Sequence, residues 1–516
     1  MSYIVEQKIK NRIYLYEVTS YWDKKKQQSR QKRKYIGPKN RIERKKVRLT
    51  NKSEINSKSI GNIFLLKSIS AKIGLSNILQ KIFPEDFLDI LNLSFYNICN
   101  ATAGYLYNYW HDEHHLDGRS LYSEDISTLY NKIGSKELSC STFMSDWSKN
   151  LNSSSSIYYD ITSISSYGSN NSFLEWGYNR DGENLEQINI GSIHCRKTSL
   201  PMFYRLFPGS ITDVTTIKNS IKYFNAFNLR KALLVMDKGF FSKDNILSLH
   251  KNNLEFIQAM PLWLKNSKKI IEDNKRKLLS SKAAFNYNEE ILYHCSDFII
   301  YDKVKFKAHI YFDEKCHTEQ KHNLLKELFK IEEKHQNIKL KDINSYNDYL
   351  ENNIPKKYHN YFKWNKNTKF ICRDIKNTEE RISLFGHFII ITNNNQLSGE
   401  EILSNYRDKD IVEKGFHGLK TSLDGDRIRV HSETAMKGKL FLKFISMIIY
   451  CYLIKEMKET QLNKVYSTKE MLLILKKLKL HTIEQELFLS EITKKQKIIL
   501  EKFNIKIENL ESSLLM

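Results

Sequence analysis

Hydrophobic and polar positions change rhythm several times along the chain, and each change predicts a different kind of element. Residues 1–50 alternate, as in NRIYLYEVTSYW and KRKYIGPKN, and a period of two predicts a basic β-hairpin or small sheet. Residues 58–150 carry apolar positions three and four apart, in IGNIFLLKSISAKIGLSNILQKIF and PEDFLDILNLSFYNICNATAGYLYNYW, which predicts a compact helical domain. The serine run of NSSSSI (152–157) marks a boundary. From 151 to 261 the pattern reads as three strands, IYYDITSIS (157–165), LEQINIGSI and LPMFYRLF, then a helix over 213–227. A buried strand, KALLVMD (231–237), a helix over 242–251 and a strand, LEFIQAM (254–260), follow, and this order specifies a mixed α/β sheet. Residues 262–396 are irregular, with a lysine-rich stretch, strands such as DFIIYDKVKFKAHIYF and HFIIITNN, and one helical segment near HNLLKELFKIEEK. Beyond 398 the spacing is helical to about 510, first over 397–455 and then over a tail, 456–516.

Charge and composition narrow what such a chain does. A formal charge of +23 over 516 residues, with sixteen Lys and Arg against four Asp and Glu in residues 1–50, points to a polyanionic partner. Hydrophobic content of 41% supports packed cores and excludes wholesale disorder. The seven cysteines are scattered and never form a C-x-x-C pair, as expected in a reducing cytoplasm and not in a zinc module. The N-terminus is polar and charged, unlike a signal peptide. The longest apolar run, FLKFISMIIYCYLI (441–454), contains Lys443, falls short of a membrane span and reads as a buried helix.

Candidate chemistry gathers at three acids. Asp160 lies inside an apolar strand, where an unpaired charge is costly. Asp237 closes the strand ALLVMD just before Gly239, at the carboxyl edge where open α/β sheets expose their ligand sites. Glu413 lies in SNYRDKDIVEKGFHGLKT (404–421), which reads as one helix. At about 100° per residue, Tyr406, Lys409, Glu413, His417 and Lys420 share an arc of roughly 80°. Three converging carboxylates suit a pair of Mg²⁺ or Mn²⁺ ions used for in-line phosphoryl displacement, with lysines beside them to bind phosphates. Asp410 shares the face with Glu413 and rivals it, while Asp213 and Asp181 are rival acids on the sheet side. Taken singly, each acid has a structural reading as a buried hydrogen-bonded group, a helix cap or an i,i+4 partner.

In this order, YYDIT, VMDKGF and YRDKDIVEKGFHGLK resemble the three acidic motifs of bacterial insertion-sequence transposases with an RNase H-like DDE core. The third motif of that family is Y-x2-R-x3-E-x6-K, and Tyr406, Lys409, Glu413 and Lys420 match its spacing, with Lys409 standing where the family has arginine. GYNRDGENLEQINIG and LPMFYRLFPGSITDVTTIKN resemble the connecting sheet segment, and YLYEVTSYWDKKKQQSRQKRKYIG an N-terminal signature of one subgroup. The 176 positions between Asp237 and Glu413 leave room for the mostly β insertion domain that the family places there. The resemblance implies an RNase H-like mixed sheet with flanking helices, interrupted by that insertion at 262–396. An N-terminal β-ribbon (1–57) and helical DNA-binding domain (58–150) would precede the core at 151–261 and 397–455, and a helical C-terminus would follow it. It further implies Asp160, Asp237 and Glu413 as catalytic residues holding two Mg²⁺ or Mn²⁺ ions. The protein would act in the cytoplasm, at the nucleoid, as a homodimer in a synaptic complex. It would bind double-stranded DNA at the element's inverted-repeat ends, cut to leave a 3′-hydroxyl, and join that hydroxyl to target DNA, with a hairpin step in some relatives. Tyr406, Lys409, Lys420, Arg427, Arg429 and His431 would contact DNA, and Trp263 or Trp364 would stack on a flipped base. Two other functions use the same residues: a catalytically silent DNA-binding derivative, and a nuclease of this fold that cuts without joining.

Overall fold

The computed structural model describes residues 2–9, 12–23, 26–38, 55–100, 102–151, 156–167, 171–226, 232–335, 337–423, 427–430, 432–483 and 486–505. His431, most of the serine run at 152–157 and the basic segment 39–54 lie outside the described residues. The chain divides into two compact units, residues 1–56 with 482–488, and residues 57–481 with 489–516. In the first, β1 (Ser2–Ile9), β2 (Arg12–Asp23) and β3 (Gln28–Pro38) form an antiparallel meander. Alternation along β2 sends Tyr14 and Tyr16 to one face, where their rings lie 6.0 and 5.4 Å from that of Tyr35.

After β4 (Ile55–Ser59) come six helices, α1 (Gly61–Lys72), α2 (Leu75–Ile82), α3 (Phe87–Asn100), α4 (Tyr107–Glu113), α5 (Ser123–Ser135) and α6 (Glu137–Asn150). The helical spacing of residues 58–150 is thus realised. Three antiparallel strands follow, β5 (Ile157–Ser166), β6 (Gln187–Cys195) and β7 (Pro201–Pro208). The chain then alternates through α7 (Asp213–Ala226), β8 (Leu234–Met236), α8 (Lys243–Lys251) and β9 (Phe256–Met260). Strands β8 and β9 run parallel to β5. Ser242 caps α8 by accepting from the Asn245 N–H.

Residues 262–396 were expected to be mostly β, and they hold long helices as well. Their elements are α9 (Lys265–Leu278), β10 (Ala284–Tyr287), β11 (Glu290–Tyr301), β12 (Val304–Phe312), α10 (Glu314–His335) and α11 (Ile343–Asn353). The short pair β13 (Phe362–Trp364) and β14 (Ile371–Arg373), then α12 (Ile375–Ile382) and β15 (His387–Thr392), complete the segment. Strands β10, β11, β12 and β15 extend the central sheet, whose order is β10-β11-β12-β15-β9-β8-β5-β6-β7. A separate small cluster packs Leu328, Leu340, Tyr346, Leu350, Ile354, Phe362 and Ile371 under α10 and α11.

The predicted helix over 404–421 is broken. It consists of α13 (Gly399–Arg407), a turn at Asp408–Lys409, α14 (Asp410–His417) and a wider π turn over Gly418–Ser422. Strand β16 (Arg427–Ile428) pairs with the far end of β5, and α15 (Glu433–Glu459) follows. This 27-residue helix contains the apolar run and is buried along most of its length. Each fully buried Leu, Ile or Phe contributes about 1.5–3 kcal/mol, so α15 is a principal source of stability. It packs on α5 backbone to backbone: a Cβ on Gly134 would stand 1.8 Å from the Thr434 carbonyl oxygen, and one on Gly438 1.9 Å from that of Tyr130. Buried Lys443 donates to Asn97 Oδ1 at 3.0 Å and to the Leu423 carbonyl. The tail is helical in α16 (Thr468–Lys476) and α17 (Lys494–Lys502), with two short strands between them, β17 (Lys479–Ile483) and β18 (Glu486–Leu489). No described helix is long and apolar enough to cross a membrane.

Candidate active site

Two acids are brought together by strand register. Strands β5 and β8 are parallel neighbours paired Ile157 with Leu234, Tyr158 with Val235 and Tyr159 with Met236. One step further, Asp160 and Asp237 stand side by side where β8 ends, and register partners in a parallel pair face the same side of the sheet. Apolar Tyr158, Tyr159, Val235 and Met236 anchor both strands in the core just before the acids emerge. The Asp160 carboxylate accepts from the Ile161 N–H at 2.9 Å, and Gln258 donates to the Asp237 carbonyl at 3.3 Å.

The third acid arrives from outside the sheet. Helix α14 lies on β5 and β6, and it gets close because residue 415 is glycine. A Cβ there would stand 2.8 Å from Cε1 of His194, a buried β6 side chain. Glu413 then reaches back over the strand ends. Lys409 Nζ donates to Glu413 Oε1 at 2.7 Å and lies 3.9 Å from Asp237 Oδ2, and its charge also acts on Asp160. Tyr406 donates its hydroxyl to Asp237 Oδ1 at 2.8 Å. The three predicted acids, Tyr406 and Lys409 therefore share one site. Lys409 sits in the turn, 7% exposed, with its ammonium turned into the acids.

Burial pushes the Asp160 carboxyl up to about 6, Lys409 and the Ile161 N–H oppose the shift, and the nearby Asp237 carboxylate adds to it. Burial also works against the Lys409 charge, but Asp160, Asp237 and Glu413 more than offset it, and its pKa lies above the ordinary lysine value. Burial and the bond to Asp237 hold the Tyr406 phenol protonated well above the usual range. The donor set is all oxygen with no imidazole or thiol, which suits a hard cation such as Mg²⁺ or Mn²⁺. Among the described residues no three His, Cys, Asp or Glu side chains are grouped so as to hold one metal ion. The Lys409 ammonium stands among the three carboxylates instead.

The site opens into a cleft of about 670 Å³ lined by Asp237, Tyr406, Lys409 and Glu413, with Lys238, Trp263, Arg381 and Arg407 among its walls. Trp263 is 67% exposed there, whereas Trp364 packs against the small cluster under α10 and α11 and does not line the cleft. Lys420 and Arg427 have internal partners: Lys420 donates to both oxygens of Asp181 at 2.8 and 2.6 Å, and Arg427 pairs with Glu183. Arg429 and His417 are exposed. Of the rival acids, Asp410 also lines the cleft but pairs with Lys414, Asp213 opens α7 and pairs with Arg180, and Asp181 lies in a turn.

Residue type alone missed Arg196. It follows the last residue of β6 and clamps the helix break from below. Its Nε and Nη2 donate to Asp408 Oδ2 at 2.9 and 2.6 Å, Nη1 to Asn405 Oδ1 at 2.9 Å, and Nη2 to Ser404 Oγ at 3.0 Å. Ser156 adds a hydroxyl bond to Asn405 at 2.6 Å. A polar triplet at 404, 405 and 408 in front of the acidic motif was the available signal.

A cryo-EM structure of a piggyBac transposase synaptic complex with hairpin DNA aligns with a TM-score of 0.34 at 10% identity, over 79% of this chain and 70% of that chain. No curated protein matches the sequence. The transposase DDE domain family matches residues 155–449, a span that runs from the Asp160 strand past the Glu413 helix and takes in more than half of the chain. The chain belongs to the transposase DDE domain family.

Proposed function

We propose that this protein is a DNA transposase of a bacterial insertion sequence, which binds the inverted-repeat ends of its element, cuts them and transfers the new ends to target DNA. The observation that carries this reading is the meeting of Asp160, Asp237 and Glu413 around a single ammonium, at a strand-end position opening into a cleft with basic walls. Asp160, Asp237 and Glu413 are the residues that would hold two Mg²⁺ or Mn²⁺ ions. Bound there, the ions would supply Lewis-acid activation of the attacking oxygen and charge neutralisation at the leaving oxygen.

The chain's own side chains do the rest. Tyr406 orients Asp237 through its hydroxyl. Lys238, Arg381 and Arg407 place cations along the cleft for the phosphate backbone, and Trp263 offers an exposed ring on which an unstacked base can lie. Lys409, Lys420 and Arg427 would join the contacts once their acids are released, and exposed Arg429 would add a further cation. In the first step water attacks the phosphorus at the element's end, the P–O bond to the 3′ oxygen breaks, and that oxygen leaves as a 3′-hydroxyl. In the second, this hydroxyl attacks a target phosphodiester and displaces another 3′ oxygen, conserving the number of ester bonds. Two ends brought together imply a homodimer, working in the cytoplasm at the nucleoid.

A DNA-binding derivative that no longer cuts is the second reading, and it draws on the ammonium lodged among the acids. Duplexes taken from the two flanks of the coding region, incubated with protein and Mg²⁺, separate the readings. Discrete strand cleavage leaving a 3′-hydroxyl, followed by joining to a plasmid, supports the transposase. Retention of the duplex with no cleavage in Mg²⁺ or Mn²⁺ supports the silent binder, and cleavage without joining supports the nuclease.

A further inference from the structure

The placement of Lys409 points beyond a phosphate contact. A side chain meant only to grip DNA should be open to solvent along the cleft. Lys409 instead is 7% exposed and directs its ammonium inward, 2.7 Å from Glu413 and 3.9 Å from Asp237, with Asp160 also within its field. Three carboxylates crowded at a strand end repel one another, and the repulsion is strong where water is thin. An ammonium with three donors and no acceptor is the one group in the site that answers all of them.

We propose that Lys409 is the resident counter-ion of the carboxylate triad, and that it gives up this place when divalent cations bind and turns outward to a DNA phosphate. The inference rests on the reading of Asp160, Asp237 and Glu413 as the metal-holding acids. Two features make the exchange feasible. Lys409 stands in the turn at the start of α14 and its stem already borders the cleft, so rotation about side-chain bonds alone can carry the ammonium outward. A lysine is also a compact charge on a flexible stem, better suited to swinging between two anionic partners than the planar fork of arginine. Before exchange the three acids outnumber the ammonium among them and weaken the hold of the cleft's cations on a phosphate backbone. Afterwards the cations neutralise the acids and a free ammonium is added, so metal binding and DNA binding reinforce each other.

Mn²⁺ binding to the full chain, read from loss of the free-ion electron paramagnetic resonance signal, tests the exchange without recourse to activity. In the absence of DNA, Lys409→Met should bind Mn²⁺ at least tenfold more tightly than the native protein. Lys409→Arg, which keeps the charge, should stay within about threefold of native. Adding duplex DNA should tighten Mn²⁺ binding to the native protein severalfold and to Lys409→Met hardly at all. Circular dichroism checks the fold, and Lys409→Gln serves if the methionine variant fails to fold. The proposal is overturned if the neutral variants bind Mn²⁺ no more tightly than native while Asp237→Asn abolishes binding. If neither native nor variant protein binds Mn²⁺ at all, the reading of the acids as a metal site falls, and this inference with it.

Discussion

Replacing Arg196 with methionine should unseat the turn at Asp408–Lys409 while leaving the identity of every acid unchanged. The guanidinium makes four bonds across the break between α13 and α14, to Ser404, Asn405 and twice to Asp408. Its side chain is 32% exposed and that of Asp408 43%, so the ion pair is partly screened and contributes only about 0.2–1 kcal/mol. The bonds to Ser404 and Asn405 are made by a charged donor to neutral acceptors, and each contributes roughly 0.5–1.5 kcal/mol. Arg196→Met should therefore lower the unfolding free energy by about 2 kcal/mol, measured by urea denaturation. A double-mutant cycle with Asp408→Asn should return a coupling of about 0.5–1 kcal/mol. The effect on cleavage should be larger than stability alone explains. A displacement of about 1 Å in a catalytic group costs up to ~100-fold, and Lys409 and Glu413 both hang from this turn. Nicking of flank-derived duplex, measured well below the melting temperature, should fall by about that factor with DNA affinity retained. A variant that loses the expected stability yet nicks at the native rate would refute the positioning role. One with undiminished stability would show that the clamp is not formed in solution.

Three further outcomes follow from the same geometry. Gly415→Ala places a Cβ 2.8 Å from the buried His194 ring, so α14 must lift from the sheet, and the variant should lose about 1–3 kcal/mol and most of its cleavage, read by thermal melting and nicking. His194 is depressed to about 3 by burial, so the unfolded chain takes up a proton that the folded chain refuses: its contribution to stability is complete above about pH 6.5 and is lost as pH falls towards 3. That contribution is at most roughly 5 kcal/mol, and urea melts across this range should be flatter for His194→Gln than for the native protein. Asp181→Asn frees the Lys420 ammonium, so duplex affinity should rise a few-fold and the salt dependence should steepen by about one counterion; a fall in affinity would mean that Asp181 orients the lysine for DNA.

What the sequence made legible was local and periodic. The apolar strands carrying Asp160 and Asp237, the helical N-terminal layer and the buried α15 follow from patterns of two and of three and four. The convergence of the acids was legible from motif order. The helix break was not, because residues 408–409 contain no proline or glycine and the force bending the chain is Arg196, more than two hundred positions away. Internal pairing of the cations was equally hidden: Lys420 finds Asp181 239 positions upstream, and Arg427 finds Glu183 244 upstream. Residue type marked these side chains as suited to phosphate, but only the fold supplies the acids that hold them. The packing of Trp364 was hidden for a similar reason, since an aromatic in a short strand gives no sign of a small core forming around it. The extension of the central sheet by β10, β11, β12 and β15 depends on pairing across long separations, which periodicity does not encode.

Single-turnover cleavage of flank-derived duplex in Mg²⁺ tests most directly that Asp160, Asp237 and Glu413 act as one unit. Asp160→Asn, Asp237→Asn and Glu413→Gln should each fold, bind the duplex about as well as the native protein, and cut at least ~1,000-fold more slowly, with no further loss when two are combined. Cleavage by any of the three at the native rate would contradict the claim.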